Sequence, residues 1–270
     1  MFDNPIMENL MTRASVRRFT DQEILDELVE KIVRAGQQAP FTGQMYSVIA
    51  TKKSDIKEKV SELLGPLPKQ GSVFMAICVD FARLERFIDA KGRTNSFDDQ
   101  WMMIFGIQDA SYLGQNIVTA AESYGIGTVF LGMAPWLTPE FRDIFNLPSR
   151  VWPLVGLVLG YKGEQPPARP RIPLETVLHW DRYRELSDAE LRSALEIMDA
   201  GLIREGYYYQ RNAKIALRGD ATDTVDYDRY GWGEHVSRKY SQLGHTMEER
   251  GRNITRILQD QGIDLSGEDH

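Results

Sequence analysis

Four short apolar stretches alternate with amphipathic stretches along the first 160 residues of the chain. The apolar stretches predict β-strands, and one of them, VFMAICVD, is apolar up to its last residue, which is typical of a strand covered on both faces. Strands separated by helices indicate an α/β or α+β sandwich. The predicted strands cover 46–51, 73–80, 127–132 and 154–161, and the helices between them cover 53–64, 96–124 and a short segment from Thr138.

Two further helices are predicted near the N-terminus. Residues 3–13 have the apolar spacing of a short amphipathic helix. Thr20 and Glu23 have the spacing of a capping box, in which each side chain bonds the backbone N–H of the other residue. This pattern predicts a second helix that begins at Thr20 and ends near Ala35.

The last third of the chain has a different pattern. A proline-rich stretch at 163–173, GEQPPARPRIP, predicts an extended crossing. Helices are predicted at 187–203 and 245–261, on either side of a polar and aromatic stretch at 204–240. This part is too amphipathic to be a disordered tail, and we interpret it as a lid, a dimer arm or both.

Composition and charge narrow the class of protein. The chain has 270 residues, enough for one large domain or two small ones. Its net charge of −7 opposes a protein that coats nucleic acid. The single cysteine, Cys78, cannot form an internal disulfide, and neither a signal-peptide pattern nor an apolar run of about 20 residues is present. We therefore expect a soluble, cytoplasmic protein without nucleic-acid or membrane partners.

The common motifs of nucleophilic and metal-dependent catalysis are missing. The sequence has no G-x-S-x-G, H-E-x-x-H, P-loop or paired C-x-x-C motif, and its four histidines are scattered. The stretch GIGTVFLG has some glycines of a dinucleotide fingerprint but leads into a predicted strand, whereas the fingerprint follows one. We expect no catalytic side chain and no metal site, and a bound cofactor as the reactive group.

Two arginine-rich segments stand out in this acidic chain. RASVRRF contains Arg13, Ser15 and Arg17, and ARPRIP contains Arg169 and Arg171. In extended backbone, residues two apart project to the same side. Four guanidinium groups and a hydroxyl suit a phosphate monoester if the fold brings the two segments together. Separately, each segment is more typical of a solvated surface than of a phosphate site.

The same motifs carry a family resemblance. R-x-S-x-R-x-F before a helix resembles the start of the FMN-dependent nitroreductase family, and AGQQAPFTGQ is similar to its Ala-Pro-Ser-Ser-x-Asn loop. The core strand of the family is similar to VFMAICVDFAR, and the segment that lines its flavin is similar to AAESYGIGTVFLGM. The strand and basic pair of the family's phosphate site are similar to LVLGYKGEQPPARPRIP. YYYQRNAK and WGEHVSRKY resemble the larger, flavin-reductase-like class that includes oxygen-insensitive NADPH nitroreductases.

This resemblance implies an α+β fold in which helices wrap a central, mostly antiparallel sheet. It also implies a homodimer with FMN at the subunit interface. An FMN-binding core is expected at 1–180, and a helical extension at 181–270 that packs on the same domain as a lid or dimer arm. The lid candidates, for which a core or interface position is the alternative, are Tyr207, Tyr208, Tyr209 and Trp232.

The resemblance assigns cofactor-binding residues as well. The FMN phosphate is expected at Arg13, Ser15, Arg17, Arg169 and Arg171. The isoalloxazine is expected beside Phe130, Leu131, Gly132 and Met133. A backbone amide of Leu131 or Gly132 would lie near N5, and such a donor needs a small neighbour, which suits a glycine.

The loop after the second predicted helix departs from the family pattern. Phe41 and Thr42 stand where the family usually has two serines, and Gln44 stands where it has asparagine. Thr42 and Gln44 keep the capacity to hydrogen-bond ribityl hydroxyls or ring edges, and are assigned to the cofactor. Phe41 is expected to shape the substrate pocket.

The expected reaction is hydride transfer from NADPH or NADH to FMN N5, followed by reduction of a nitroaromatic, quinone or flavin acceptor in a ping-pong scheme. Arg211 resembles the residue that contacts the NADPH 2′-phosphate, with Lys214 and Arg218 as alternatives, and solvated charge is an equally good interpretation of all three. The competing hypotheses are another flavin reaction (reductive dehalogenation, enone reduction or flavin breakdown) and a non-catalytic module that binds nucleotides or anions.

Overall fold

The computed structural model describes residues 4–217, 219, 223–241 and 247–266. The chain divides into two compact units, Met1–Pro167 with Arg252–His270, and Ala168–Gly251. These bounds differ from the predicted ones in two places. Residues 168–180, which the resemblance assigns to the FMN-binding core, belong to the second unit, and residues 252–270 belong to the first unit. The assignment of a cofactor-binding core and a lid or arm stays a prediction.

The first unit is built on a four-stranded sheet. Its strands are β1 (Tyr46–Thr51), β2 (Val73–Asp80), β3 (Ile126–Leu131) and β4 (Val151–Tyr161). The strand order is β1-β2-β4-β3, and every neighbouring pair is antiparallel. The sheet therefore confirms the α+β fold with a central antiparallel sheet that the resemblance implies, and all four predicted strands are confirmed.

Strand β4 begins at Val151, three residues before its predicted start. Pro153 lies opposite Cys78, where the register between β2 and β4 shifts. A proline is tolerated in a central strand at such a bulge, because the ladder hydrogen bond that it cannot donate is interrupted there.

Helices cover both faces of the sheet. The first seven are α1 (Pro5–Thr12), α2 (Asp26–Gly36), α3 (Ser54–Leu64), α4 (Leu67–Gln70), α5 (Phe81–Asp89), α6 (Asp99–Ser123) and α7 (Thr138–Phe145), and a 3-10 turn spans Ala134–Leu137. The odd-numbered residues of β2 pack with α2 and α6, and Phe74, Ala76 and Cys78 pack with α3 and α7. All of β2 is buried, as its continuous apolar run predicts.

The predicted start of α2 is wrong. The helix begins at Asp26, and the Thr20 hydroxyl accepts from the backbone N–H of Gln22 (3.4 Å) instead of capping a helix. The residues before Asp26 stay non-helical, and this lets Ile24 enter the core, where it is fully buried and donates its N–H to Ser72 Oγ at 2.8 Å. Burial of an isoleucine thus outweighs a local capping pattern.

The second unit contains α8 (Asp188–Arg204), α9 (Tyr207–Gln210) and α10 (Trp232–Tyr240), together with a 3-10 turn at Leu174–Thr176. A capping box does form here, between Ser187 and Glu190, and it begins α8 one residue after its predicted start. Helix α11 (Met247–Asp260) confirms the last predicted helix, whose first two predicted residues lie outside the described residues.

An aromatic cluster forms the core of the second unit. Tyr208 is buried, stacks on His235 with 4.7 Å between ring centroids, and meets the edge of Tyr230 at 5.2 Å. Burial raises the pKa of Tyr208 to about 12, so its hydroxyl stays protonated. Tyr207 and Trp232 pack against this cluster, whereas Tyr209 is 70% exposed.

This cluster should make the second unit sensitive to acid. Burial, and then the charge of Lys239, lowers the pKa of His235 from its ordinary value of 6.5, so the unfolded chain binds the proton more readily. The contribution of His235 is therefore present above pH 6.5 and is lost as the pH falls below it. We expect the melting temperature to fall more steeply between about pH 7.5 and 5.5 in the wild type than in His235→Gln. Equal slopes in the two proteins would contradict this assignment.

Candidate functional site

The RASVRRF segment lies extended beside β3 and β4. Val16 N donates to Thr128 O at 3.0 Å, and Phe19 forms an antiparallel bridge with Lys162. Two glycines allow this close approach. A Cβ atom at Gly127 would lie 2.7 Å from Val16 Cγ2, and one at Gly160 would lie 2.7 Å from Phe19 Cδ1.

Burial along the segment does not follow the alternation expected for extended backbone, because Val16 and Arg18, which lie two residues apart, differ most in exposure. Val16 is buried and the Arg18 side chain is 82% exposed, whereas Arg13, Ser15 and Arg17 are half-buried. Arg17 Nη1 donates to Ser15 O at 3.3 Å. Arg13 Nε is buried and has no hydrogen-bond partner among the described residues. A buried guanidinium N–H without a partner is costly, which makes Arg13 a donor available to a bound anion.

Sequence reasoning missed Glu164 beside this segment. Its carboxylate accepts from the backbone N–H of Arg17 at 2.7 Å and of Arg18 at 3.2 Å, and it lies 3.8 Å from the Arg18 guanidinium. The three contacts hold the backbone from which the arginine side chains project. One glutamate in a proline-rich stretch offered no local pattern that could have identified this role.

The second basic pair belongs to the second unit. Arg169 forms an ion pair with Glu205 at 3.0 Å, and its guanidinium lies 3.8 Å from the ring centroid of Tyr207. Arg171 Nη1 donates to the backbone carbonyls of Arg169 and Pro170, at 3.1 and 3.0 Å. The predicted use of both pairs in one phosphate site stays a prediction.

The loop after α2 is held by Asp109, a 1% exposed residue in the middle of α6. Its carboxylate accepts three backbone N–H groups, from Thr42 at 2.7 Å, Gly43 at 3.0 Å and Met45 at 3.1 Å. Sequence reasoning missed this residue as well. The available indication was a charged residue inside the otherwise uncharged helical stretch IFGIQDASYLG.

The side chains predicted to be functional on this loop are accessible. Phe41, Thr42 and Gln44 are all exposed, and Phe41 keeps 55% of its surface in solvent. Gln44 has a φ angle of 51°, in the left-handed region that non-glycine residues rarely occupy. An unusual backbone conformation held by surrounding contacts is typical of functional sites.

The end of β3 presents the remaining predicted residues. Phe130 and Leu131 are half-buried, and Gly132 and Met133 are exposed. A Cβ atom at Gly132 would have no described protein atom within 4 Å. Packing within the described protein therefore gives no reason for a glycine at this position.

Arg211 contacts Tyr207, which lies four residues before it in the second unit. Arg211 Nη1 donates to Tyr207 O at 3.0 Å, and its guanidinium lies 4.1 Å from the centroid of the Tyr207 ring. Lys214 is exposed, and Arg218 lies outside the described residues. The assignment of a nucleotide phosphate to one of these cations stays a prediction.

The described residues give no indication of metal binding, thiol chemistry or a membrane-spanning helix. No group of three or more His, Cys, Asp and Glu side chains in these ranges is placed to hold a metal ion. Burial raises the pKa of the Cys78 thiol, which keeps it protonated. None of the helices in the described ranges has the length and apolar character needed to cross a bilayer.

Comparison with known proteins identifies the relatives of the chain. Residues 10–161 match the Nitroreductase family. The chain is 34% identical over 269 residues to "FMN reductase [NAD(P)H]" of Bacillus subtilis (strain 168), covering 96% of this chain and 98% of the relative. It is 32% identical over 190 residues to "Oxygen-insensitive NADPH nitroreductase" of Salmonella typhimurium, covering 68% and 77%.

A solved structure extends the similarity to the fold. The "hypothetical oxidoreductase YcnD" from Bacillus subtilis has a TM-score of 0.80 and 27% identity, over 97% of this chain and 98% of that one. The match to the family covers more than half of the chain and includes RASVRRF, the loop after α2 and β3. The chain therefore belongs to the nitroreductase family.

Proposed function

We propose that this protein is an FMN-dependent oxidoreductase that uses NAD(P)H to reduce small acceptors such as nitroaromatic compounds, quinones or flavins. The observation that carries the proposal is the buried, unpartnered Nε of Arg13 beside Ser15 and Arg17, which fits an anionic phosphate. Relatives named as an FMN reductase and an NADPH nitroreductase support the same cofactor and electron donor.

The phosphate would be bound first by the RASVRRF segment. Arg13 and Arg17 supply charged donors and Ser15 a hydroxyl, on a backbone held by Glu164 and by the sheet. We assign Arg169 and Arg171 to the same phosphate. Their pairing with Glu205 and with backbone carbonyls would then have to rearrange or be shared.

The ring would be bound by the loop after α2 and by the end of β3. Thr42 and Gln44 would hydrogen-bond the cofactor, and Phe130 to Met133 would run beside the ring with a backbone amide near N5. Bound FMN supplies the hydride transfer itself, first from NAD(P)H and then to the acceptor. The protein residues bind and orient both partners, with Phe41 shaping the acceptor pocket and Arg211 contacting the NADPH 2′-phosphate.

We also propose that the protein is a homodimer with the cofactor at the interface. Two helices present large apolar side chains to solvent, which is unusual for a monomer. These exposed side chains are Ile6, Leu10 and Met11 on α1 and Trp101, Ile104 and Tyr112 on α6. A sedimentation-equilibrium mass of one chain would contradict the dimer.

The decisive experiment is the absorbance spectrum of the purified protein, supplemented with FMN, before and after anaerobic addition of NADPH or NADH. We expect a flavin band that bleaches with the donor and returns with a nitroaromatic or quinone acceptor. Protein that binds no flavin would refute the proposal. Flavin that binds without being reduced would indicate a non-catalytic module.

Gly132→Ala should separate cofactor binding from stability. If a backbone amide at this point approaches the ring, the added methyl group should weaken FMN binding by about 1–3 kcal/mol. No described protein atom lies near the new Cβ, so the melting temperature of the apoprotein should not fall. Fluorescence titration and thermal melting measure the two effects.

The matched control is Gly125→Ala, just before β3. Gly125 has a φ angle of 74°, so alanine should destabilise the protein by about 1–2 kcal/mol without changing FMN affinity. Unchanged FMN affinity in Gly132→Ala would place the ring elsewhere.

A further inference from the structure

Arg83 holds the carbonyl groups of the loop after α2. Its Nη2 donates to Gln44 O at 2.7 Å and to Tyr46 O. The guanidinium is itself oriented by Ser47 Oγ at 3.1 Å and by the Asp80 carboxylate at 3.7 Å. The carbonyl groups on both sides of Met45 thus face one cation.

Asp109 holds the N–H groups of the same loop from α6. Its carboxylate accepts from three of the four residues between Thr42 and Met45, leaving out Gln44. The backbone is therefore bound by an anion through its donors and by a cation through its acceptors. These contacts surround Gln44, whose left-handed conformation is uncommon for a residue other than glycine.

A hydrogen bond with Tyr46 orients the side chain of Gln44. The Tyr46 hydroxyl donates to Gln44 Oε1 at 3.4 Å. Burial, and then the charge of Asp109, raises the pKa of Tyr46, so this hydroxyl remains a donor. With Oε1 engaged as an acceptor, the Nε2 group of Gln44 is left as a donor for a ligand.

We propose that Asp109 and Arg83 are positioning residues, which hold Gln44 so that its side-chain amide donates to a hydrogen-bond acceptor of the flavin. The proposal rests on the proposed function, since it needs bound FMN. It deepens that function by assigning cofactor placement to two residues outside the expected binding motifs.

The test compares Asp109→Asn, Arg83→Lys and Gln44→Gly with the wild type. Asp109→Asn replaces one acceptor oxygen by an NH2 group, and Arg83→Lys keeps the charge but loses the fork that spans two carbonyls. Each variant should raise the FMN dissociation constant about tenfold and shift the visible spectrum of bound FMN. In the Gln44→Gly background, Arg83→Lys should add little, because the group that it positions is gone.

A control variant isolates positioning from loss of stability. Val60→Ala removes buried volume from α3, on the face of the sheet opposite α6, and should lower the melting temperature without changing the FMN dissociation constant or spectrum. Gln44→Gly should keep the apoprotein melting temperature at or above that of the wild type, because glycine adopts a positive φ freely.

The outcomes are distinct. Wild-type affinity and spectrum in both Asp109→Asn and Arg83→Lys overturn the inference while leaving the proposed function intact, and Arg83→Lys alone decides if Asp109→Asn does not fold. An equal loss of affinity in Val60→Ala also overturns the inference, since stability alone would then explain the effect. A wild-type protein that binds no FMN overturns the proposed function, and the inference with it.

Discussion

Arg17→Ala is expected to weaken FMN binding by about 2 kcal/mol, roughly 30-fold, whereas Arg18→Ala should leave it within about twofold of the wild type. The two residues are neighbours with the same chemistry, so the expected difference comes from their burial and their contacts. Arg17 is half-buried and its Nη1 donates to the backbone carbonyl of Ser15, whereas Arg18 is exposed and paired with Glu164. Exposed ion pairs of that kind contribute about 0–1 kcal/mol.

Fluorescence titration of the apoproteins with FMN measures both effects. Arg17→Lys is an informative third variant, because it keeps the charge but loses the planar fork, and it should fall between the wild type and Arg17→Ala. Equal losses from Arg17→Ala and Arg18→Ala would mean that their burial and contacts do not determine which arginine meets the phosphate.

Arg150→Ala should lower the free energy of unfolding by about 3–5 kcal/mol, the largest stability effect that we expect. Arg150 is 17% exposed and pairs with Glu85 at 2.7 Å and with Asp99 at 2.6 Å. It also donates to Gly262 O at 2.7 Å, which attaches the residues after α11 to the first unit. Removing the guanidinium leaves two nearly buried carboxylates without their cation and releases the C-terminal segment.

Urea unfolding measures this loss, and hydrogen exchange at 257–266 reports the release of the C-terminal segment. Arg150→Gly should cost about 1 kcal/mol less than Arg150→Ala, because Arg150 has a φ angle of 71°. Lys69→Ala, which breaks an exposed pair with Glu58, is the control and should cost less than about 1 kcal/mol. An Arg150→Ala effect as small as that of the control would contradict a structural role for the network.

The strands show how far local pattern extends. The run VFMAICVD predicts a doubly covered strand, and β2 has those bounds with every residue buried. Such a prediction succeeds because successive residues of a strand point to opposite faces, so a continuous apolar run is enough to supply apolar side chains to both. The start of α2 shows the opposite case, because Ile24 is buried by residues that are distant in sequence and the capping pattern at Thr20 has no influence on them.

The candidate site also has parts that the sequence predicts and parts that it does not. RASVRRF is recognisable from its composition and alternation, and the residues of the loop after α2 and of β3 follow from the family resemblance. The groups that hold these segments are not recognisable, because Glu164 contacts a segment almost 150 residues away and Asp109 contacts a loop more than 60 residues away. No pattern within one segment reports such pairs.

By itself, the sequence determined the number and approximate position of the strands, most of the helices, the family and the identity of the basic segments, because each depends on residues that are close along the chain. Only the tertiary structure decided the order of the strands in the sheet, the true start of α2, and the contacts of Glu164 with the backbone of RASVRRF. It also decided how Asp109 and Arg83 hold the backbone at Gln44. These features depend on hydrogen bonds and burial between distant segments, whose partners are chosen by the whole fold.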